Sequence, residues 1–393
     1  MNQVRDGSRG LICEVLRTMK KQFVSILFFL IVVWPTFGQN WQWTAETVDP
    51  DGKSSSLAID KNGDVHLSYS SPGMVRYGFR PSQSSHWYTM DIAPTGGYKD
   101  LPTKVALDPQ GNPHICFTPA VLKYASFDGK QWGIQQIDPG SGLIEYSCSI
   151  SFAPDGTPSV TWYQYSAPDG SYYLHVKHAM LENGVWMART VDYEGQTGKW
   201  NSVAVDARGV PHVSYDSFIA GAMKYATWDG KRWNVSVVDS RDLHHGASYN
   251  VGMGNSLILN GAGKAGISYE DLETLRYAWQ TDTGWRIDVV DQIKTSGGWL
   301  EYRSRLAIDP QGNPHIAYED SGTVKHAYWD GSRWKVQIIS PAGVERDRFE
   351  DIGIDQQGTI YISYRDAMDG SLKVTVGRPQ AAGQKTVVDK TAH

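Results

Sequence analysis

Cysteine is scarce in this chain: three residues among 393 exclude a disulfide-built scaffold, and a chain this long buries a large core without one. Charge of one sign is also missing. The net charge is −5, and it becomes −8 once the five cations and two acids of residues 1–38 are set aside. A mildly acidic chain lacks the basic footprint a nucleic-acid partner requires. No helical period and no Pro/Ser-rich linker interrupts residues 40–378, so no internal domain boundary is expected. Zinc-ligand spacing is absent, no calcium-ligand spacing stands out among the acidic stretches, and no metal or cofactor is expected.

One apolar run stands near the start. Lys20-Lys21 precedes Val24–Trp34, a predominantly apolar run of 11 residues, and Thr36-Phe37-Gly38 offers small residues beyond it. This pattern predicts a secretory signal peptide over 1–38, with Met19 as the better initiator, and is too short for a comfortable membrane span. The expectation is therefore a secreted, extracellular or periplasmic protein with no stable membrane span. Gln380–His393 is polar and aperiodic, and 379–393 reads as a tail. Cys116 and Cys148 remain after the signal, and the sequence leaves open whether they pair.

What the chain has in abundance is repetition. Leu306–Ile339 reads as four short strands: Leu306–Ile308, His315–Tyr318, Val324–Trp329 and Trp334–Ile339. Asp309-Pro310-Gln311-Gly312 and Asp330-Gly331 supply the turn chemistry between them, and Glu319–Thr323 an acidic loop. The same grammar recurs seven times. Its anchors are Asp60/Gly63, Asp108/Gly111, Ala153/Gly156, Asp206/Gly209, Asn260/Gly263, Asp309/Gly312 and Asp355/Gly358, and successive anchors lie 45 to 54 residues apart. Nine residues after each comes an aromatic: Tyr69, Phe117, Trp162, Tyr215, Tyr269, Tyr318 and Tyr364. Four strands at that period predict an all-β, seven-bladed propeller over 39–378. Unit seven lacks a fourth strand, and Trp43–Asp49 has the missing pattern, so the N-terminal strand is expected to complete the last blade and leave no open edge.

Blade geometry sorts the loops. First-to-second and third-to-fourth turns share one face and are uniform (DPQGNP, DARGVP, WDGKRW), whereas second-to-third loops and blade connections share the other and vary. Variable loops on a uniform scaffold carry function. The histidines six residues after the anchors, His66, His114, His212 and His315, belong to the uniform side and read as structural. The variable face offers Glu145-Tyr146, His244-His245 with Tyr249, Glu301-Tyr302-Arg303 with Arg305, Arg346, Arg348, Glu350-Asp351, Asp216, Glu270-Asp271, Glu319-Asp320 and Arg365-Asp366. Carboxylates beside Tyr and Arg suit acid/base or nucleophilic work on an acidic glycan; the plainer alternative is a wet surface of charges paired among themselves.

Ser126-Phe127-Asp128-Gly129-Lys130-Gln131-Trp132, with counterparts at Asp229 and Asp330, resembles the Asp-box turn Ser-x-Asp-x-Gly-x-x-Trp, short by one residue between Asp and Gly. Over almost all of Trp41–Arg378 the repeats are similar to secreted bacterial propellers of the BNR/sialidase-like superfamily. Sialidases of that superfamily use an Arg triad that begins in Arg-Ile-Pro; this chain has Ser54-Ser55-Ser56-Leu57 there, so no sialidase residue carries over. Some polysaccharide lyases share the scaffold. That resemblance implies that Arg303 or Arg305 neutralises a uronate and that Tyr302 or Tyr249 moves the proton, with His244 or His245 assisting and Glu301 beside them. Glu145, Tyr146, Arg346, Arg348, Asp320 and Arg365 would then bind substrate. The competing expectation is a non-enzymatic platform for a glycan or a cell-surface protein. The loops differ sharply from blade to blade, which favours one asymmetric site on a monomer over seven equal ones.

Overall fold

The computed structural model describes residues 41–98, 100–138, 144–166, 173–194, 196–240, 251–271, 273–294, 304–339 and 348–380. They form seven four-stranded antiparallel sheets, and among the described residues there is no helix. Blade 1 is β2–β5 (Lys53–Ile59, Val65–Ser71, Met74–Arg80, Tyr88–Pro94) and blade 2 is β6–β9 (Thr103–Leu107, Pro113–Phe117, Lys123–Phe127, Trp132–Gln136). Blade 3 is β10–β13 (Ile144–Phe152, Pro158–Ser166, Tyr173–Glu182, Val185–Thr190) and blade 4 is β14–β17 (Thr197–Val205, Pro211–Ser217, Ala222–Trp228, Trp233–Ser240). Blade 5 is β18–β21 (Met253–Leu259, Ala265–Glu270, Thr274–Thr281, Gly284–Gln292) and blade 6 is β22–β25 (Ser304–Ile308, Pro314–Asp320, Thr323–Trp329, Trp334–Ile338). Blade 7 is β26–β28 (Arg348–Ile354, Ile360–Arg365, Leu372–Pro379), with β1 (Trp41–Asp49) paired outside β28 from Trp41↔Pro379 to Asp49↔Leu372. The first strands of the blades pack side by side around the ring, and β26 against β2 closes it. This is a seven-bladed β-propeller, closed by its N-terminal strand.

The anchor turns explain why each blade reverses where it does. Asp309 Oδ1 accepts from the backbone N–H of Gln311 at 2.9 Å and of Asn313 at 2.8 Å, and Asp60, Asp108, Asp206 and Asp355 repeat this. The glycine three residues on takes positive φ, 88° at Gly312, which a side chain would resist. The histidines close the same end of the blade. His66 and His114 meet Tyr77 and Tyr124 at 2.7 and 2.6 Å, and His315 meets His326 at 2.9 Å. The strands of this unit run a residue or two longer or shorter than expected, most visibly at the second-to-third turn. The acidic loop Glu319–Thr323 contracts to Ser321-Gly322, both at positive φ (54° and 80°), so Glu319 and Asp320 end the strand β23.

Two bonds staple blade to blade at a fixed register. The first joins the residue eight after one anchor to the residue five before the next. Ser68–Thr103 (2.9 Å), Ser214–Asn255 (2.7 Å), Ser268–Ser304 (3.0 Å) and Ser363–Ser55 (3.0 Å) are hydrogen bonds of this kind. Between blades 2 and 3 the same positions hold Cys116 and Cys148, which form a disulfide. With its ends separated by 32 positions in the sequence, chain-entropy reasoning assigns this bond about 3.7 kcal/mol. Replacing both cysteines by serine installs the hydroxyl pair the other blades use. The double variant should keep the fold and lose about 3 to 4 kcal/mol in a denaturant titration; an unchanged midpoint would contradict the assignment.

The second staple uses the aromatic nine after the anchor. Tyr215, Tyr269 and Tyr318 donate to Asp192 (2.9 Å), Asp239 (2.7 Å) and Asp291 (2.5 Å) at the end of the preceding blade. Lys224 (2.9 Å), Arg276 (2.8 Å) and Lys325 (3.1 Å) pair with the same carboxylates. Where the aromatic is Phe117, the position of the Asp is taken by Ala93, so donor and acceptor disappear together. Many of the Tyr and acidic residues of the variable face are thereby committed to holding blades together.

Candidate functional site

The first strands of the blades present one register to the channel: the residue four before each anchor. Around the ring these are Ser56, Lys104, Ser149, Ser202, Ser256, Arg305 and Asp351. Each serine Oγ accepts a backbone N–H from the next blade: Ser56 from Val105 at 3.3 Å, Ser149 from Val203 and Ser202 from Leu257 at 3.1 Å, Ser256 from Leu306 at 3.2 Å. Asp351 Oδ2 does the same for Leu57 at 3.2 Å. Lys104 and Arg305 cannot accept, so the ring is broken at two places, and both breaks are cations.

These charges gather on one arc of the mouth, blades 5, 6, 7, 1 and 2. Lys104 Nζ reaches past blade 1 to Asp351 Oδ2 at 2.6 Å, and Ser56 Oγ donates to the same carboxylate at 2.8 Å. Asp351 is buried, which by itself would raise its pKa, but the charges of Lys104 and Arg305 with the Lys104 and Ser56 hydrogen bonds hold it below the usual carboxylate range. Burial lowers the Lys104 ammonium, the nearby Arg305 lowers it further, and Asp351 opposes both. Arg305 Nη1 donates to the carbonyl of Ser304 at 3.0 Å. Behind Arg305 lies Glu270, 2 % exposed, whose Oε1 finds no hydrogen-bond partner among the described residues. Burial, then the neighbouring Glu319 carboxylate, pushes Glu270 well above the carboxylate range against the pull of Arg305. It is a carboxyl group held toward its neutral form. Glu350 is tied to blade 1, accepting from Ser54 N at 3.2 Å.

On blade 4 the equivalent of Glu270 is Asp216, whose pKa is pushed up to about 7 by burial, with the Trp200 N–H at 3.0 Å and Lys199 opposing. A folded pKa above the unfolded value means stability is fully present below the unfolded pKa of 3.8 and is lost as pH rises toward 7. Asp216→Asn removes that loss. Its melting temperature should match the wild type near pH 4 and exceed it at pH 8, by up to about 4 kcal/mol of stability at 1.36 kcal/mol per pKa unit. Parallel pH profiles would rule the assignment out.

Of the residues singled out in the sequence, His244, His245, Tyr249, Glu301, Tyr302, Arg303 and Arg346 lie outside the described residues. Glu145 and Tyr146 fall in β10 where its pairing slips between Ile144↔Gln164 and Cys148↔Trp162, so two extra residues bulge from the strand at the mouth. Arg348 opens β26 opposite Arg365. Asp320 is spoken for by Lys325 at 2.7 Å and the Lys294 N–H at 2.8 Å. Asp271 is equally committed, paired with Arg276 at 2.8 Å. Arg365 Nε donates to the Gly370 carbonyl at 3.2 Å and holds its own turn. Of the described candidates, Arg305 and Asp351 stand at the channel register. Lys104 and Ser56 were missed, although reading the position four before each anchor exposes both.

On the opposite, uniform face a cavity of about 350 Å³ opens beside Asp108, Ala153 and Asp206, where blade 3 has Ala153 in place of the usual anchor carboxylate. Both flanking carboxylates are used by their own turns, so this hollow is not where the charges converge.

No protein-family model matches the chain, and no curated protein matches it. Solved structures do. An ulvan lyase of polysaccharide lyase family PL25, bound to -[GlcA(1-4)Rha3S]-, superposes with a TM-score of 0.55 at 13% identity, covering 85% of this chain and 95% of that one. The β-propeller domain of Cps50 (Swd1) from Myceliophteria thermophila gives 0.52 at 8% identity, over 85% and 99%. A protein of unknown function from Dyadobacter fermentans gives 0.50 at 12% identity, over 86% and 98%. At these identities the likeness is one of fold.

Proposed function

We propose that this is a secreted propeller that takes an acidic glycan across the channel mouth on its loop-variable face and cleaves it there in the manner of a polysaccharide lyase. The observation that carries the reading is the pair of cations, Lys104 and Arg305, standing where the other blades have a hydrogen-bond acceptor. A uronate carboxylate matches an arginine fork in shape and charge. Arg305 would neutralise it and so make the adjacent C5–H more acidic. A base then removes that proton, the electron pair forms the C4–C5 double bond, the C4–O bond breaks, and the leaving oxygen takes a proton. By the lyase resemblance, Tyr302 or Tyr249 would move the proton, with His244 or His245 assisting, and Arg303 is the alternative to Arg305. The repeats and shortened Asp-box turns support placing the chain among the BNR/sialidase-like propellers, without their catalytic set. The apolar stretch Val24–Trp34 and the Cys116–Cys148 disulfide support secretion, since such bonds persist in oxidising compartments.

The test is a panel of neutral, sialylated and uronate-containing glycans, with binding and release of unsaturated product followed by ultraviolet absorbance. Turnover on the uronate polymer alone supports the proposal. Binding without turnover replaces it by a lectin-like module, and silence on every glycan by a platform for a cell-surface protein on the same face.

A further inference from the structure

Opposite the charged arc, blade 4 carries a different chemistry. In β14 the pairing passes from Thr197↔Ser217 to Asn201↔Tyr215, so two extra residues of the first strand bulge at the mouth. The bulge is Gly198-Lys199-Trp200, with Gly198 at φ 91°. It is held rather than loose: the Trp200 N–H donates to Asp216 at 3.0 Å, and Asn255 of blade 5 donates to the Trp200 carbonyl at 2.9 Å. Lys199 Nζ lies 4.9 Å from the Trp200 ring centroid.

Seven residues earlier, in the connection from blade 3 on the same face, stands Tyr193. It is 79 % exposed, while its two neighbours are pinned. Asp192 accepts from Tyr215 and from Lys224, each at 2.9 Å; Glu194 also pairs with Lys224, and its N–H donates to Asp192 at 2.9 Å. One buried lysine thus ties together the side chains on both sides of a ring left open to solvent, and the Glu194 N–H holds the backbone to Asp192. The His175 ring, centred 6.1 Å away, flanks it. An aromatic ring on a fixed backbone gives contact area at little cost in conformational entropy.

We propose that Tyr193, with Lys199 and Trp200, forms a second, stacking subsite for a sugar unit of the acidic glycan, set apart from the charged arc. The inference rests on the acidic-glycan reading above and extends it. In a seven-membered ring blade 4 faces blades 7 and 1, so a chain anchored at Arg305 and Lys104 and running across the mouth meets the blade 3–4 connection. The charged arc selects the carboxylate, Tyr193 and Trp200 receive the apolar face of a sugar several units along, and Lys199 meets its anionic substituent.

The experiment compares full-length wild type, Tyr193→Ala and Tyr193→Phe by calorimetric titration with uronate di-, tetra- and hexasaccharides. The wild type should tighten as the chain lengthens. Tyr193→Ala should lose that gain, roughly 3- to 10-fold for the hexasaccharide, and Tyr193→Phe should retain it. A full length-dependent gain in Tyr193→Ala overturns the subsite and leaves the acidic-glycan reading standing. A wild type that binds no uronate oligosaccharide overturns that reading and the subsite with it.

Discussion

Deleting Trp41–Asp49 should abolish cooperative unfolding and leave a soluble-aggregate or collapsed species in place of a folded monomer. The strand is wedged between two other blades as well as paired in its own. Trp41 packs edge-on against His315, His326 and Tyr328 of blade 6, with centroids 5.8, 5.4 and 4.9 Å away. On the other side Glu46 accepts two hydrogen bonds from Arg80 of blade 1, at 2.7 and 2.8 Å, and Asp49 pairs with Arg76 at 2.9 Å. Removal therefore exposes the edge of β28, opens the ring and leaves Arg80, 1 % exposed, without its counter-charge. A single substitution isolates the last effect. Glu46→Ala should cost about 3 to 5 kcal/mol, because a buried guanidinium stays behind uncompensated. Tryptophan fluorescence through a urea titration reads both variants, and a deletion that melts like the wild type would show that the ring closes without this strand.

The second large effect is expected at the mouth. Arg305→Ala should weaken binding of a uronate oligosaccharide by about 30-fold or more, the scale of losing one partner of a desolvated charge pair. Arg305→Lys should recover little of it, since a point charge does not reproduce the two parallel bonds of the guanidinium fork. Lys104→Ala should lose affinity and stability together, because it leaves the buried Asp351 carboxylate with less to balance it. Arg305→Ala should cost less stability than Lys104→Ala, because Lys104 also hydrogen-bonds the Asp351 carboxylate, and that difference is itself a check on the geometry.

Much of this architecture is written in the chain at fixed offsets from the anchors. The Asp/Gly turns, the aromatic nine residues on and the Trp that opens each outer strand repeat because every blade solves the same packing problem. The period therefore revealed the blade count and the role of Trp43–Asp49. The disulfide was legible in principle as well: Cys116 and Cys148 occupy the offsets that hold Ser and Thr, or Ser and Asn, between other blades. The count of two cysteines leaves the pairing open; their register is what points to it.

The site was harder to see for a physical reason. Residue type and loop position group Asp320 and Asp271 with Glu270, although the first two neutralise Lys325 and Arg276. Asp320 and Asp271 meet their cations within their own blade, across the hairpin that follows them, whereas Glu270 faces Glu319 and Arg305 of the next blade and, among the described residues, has no cation of its own hairpin against it. Lys104 was overlooked since it sits inside a strand, where loops were expected to carry the chemistry, and its meaning appears when the seven equivalent positions are set side by side.

The account stands most directly on one calorimetric titration: a uronate oligosaccharide against wild type and Arg305→Ala, with a neutral oligosaccharide of the same length as control. It predicts binding of the uronate by the wild type, loss of about 30-fold or more in the variant, and no comparable affinity for the neutral chain. Equal affinity of wild type and variant for the uronate, or equal affinity of the wild type for both sugars, would contradict the claim that the broken ring of the channel is an acidic-glycan site.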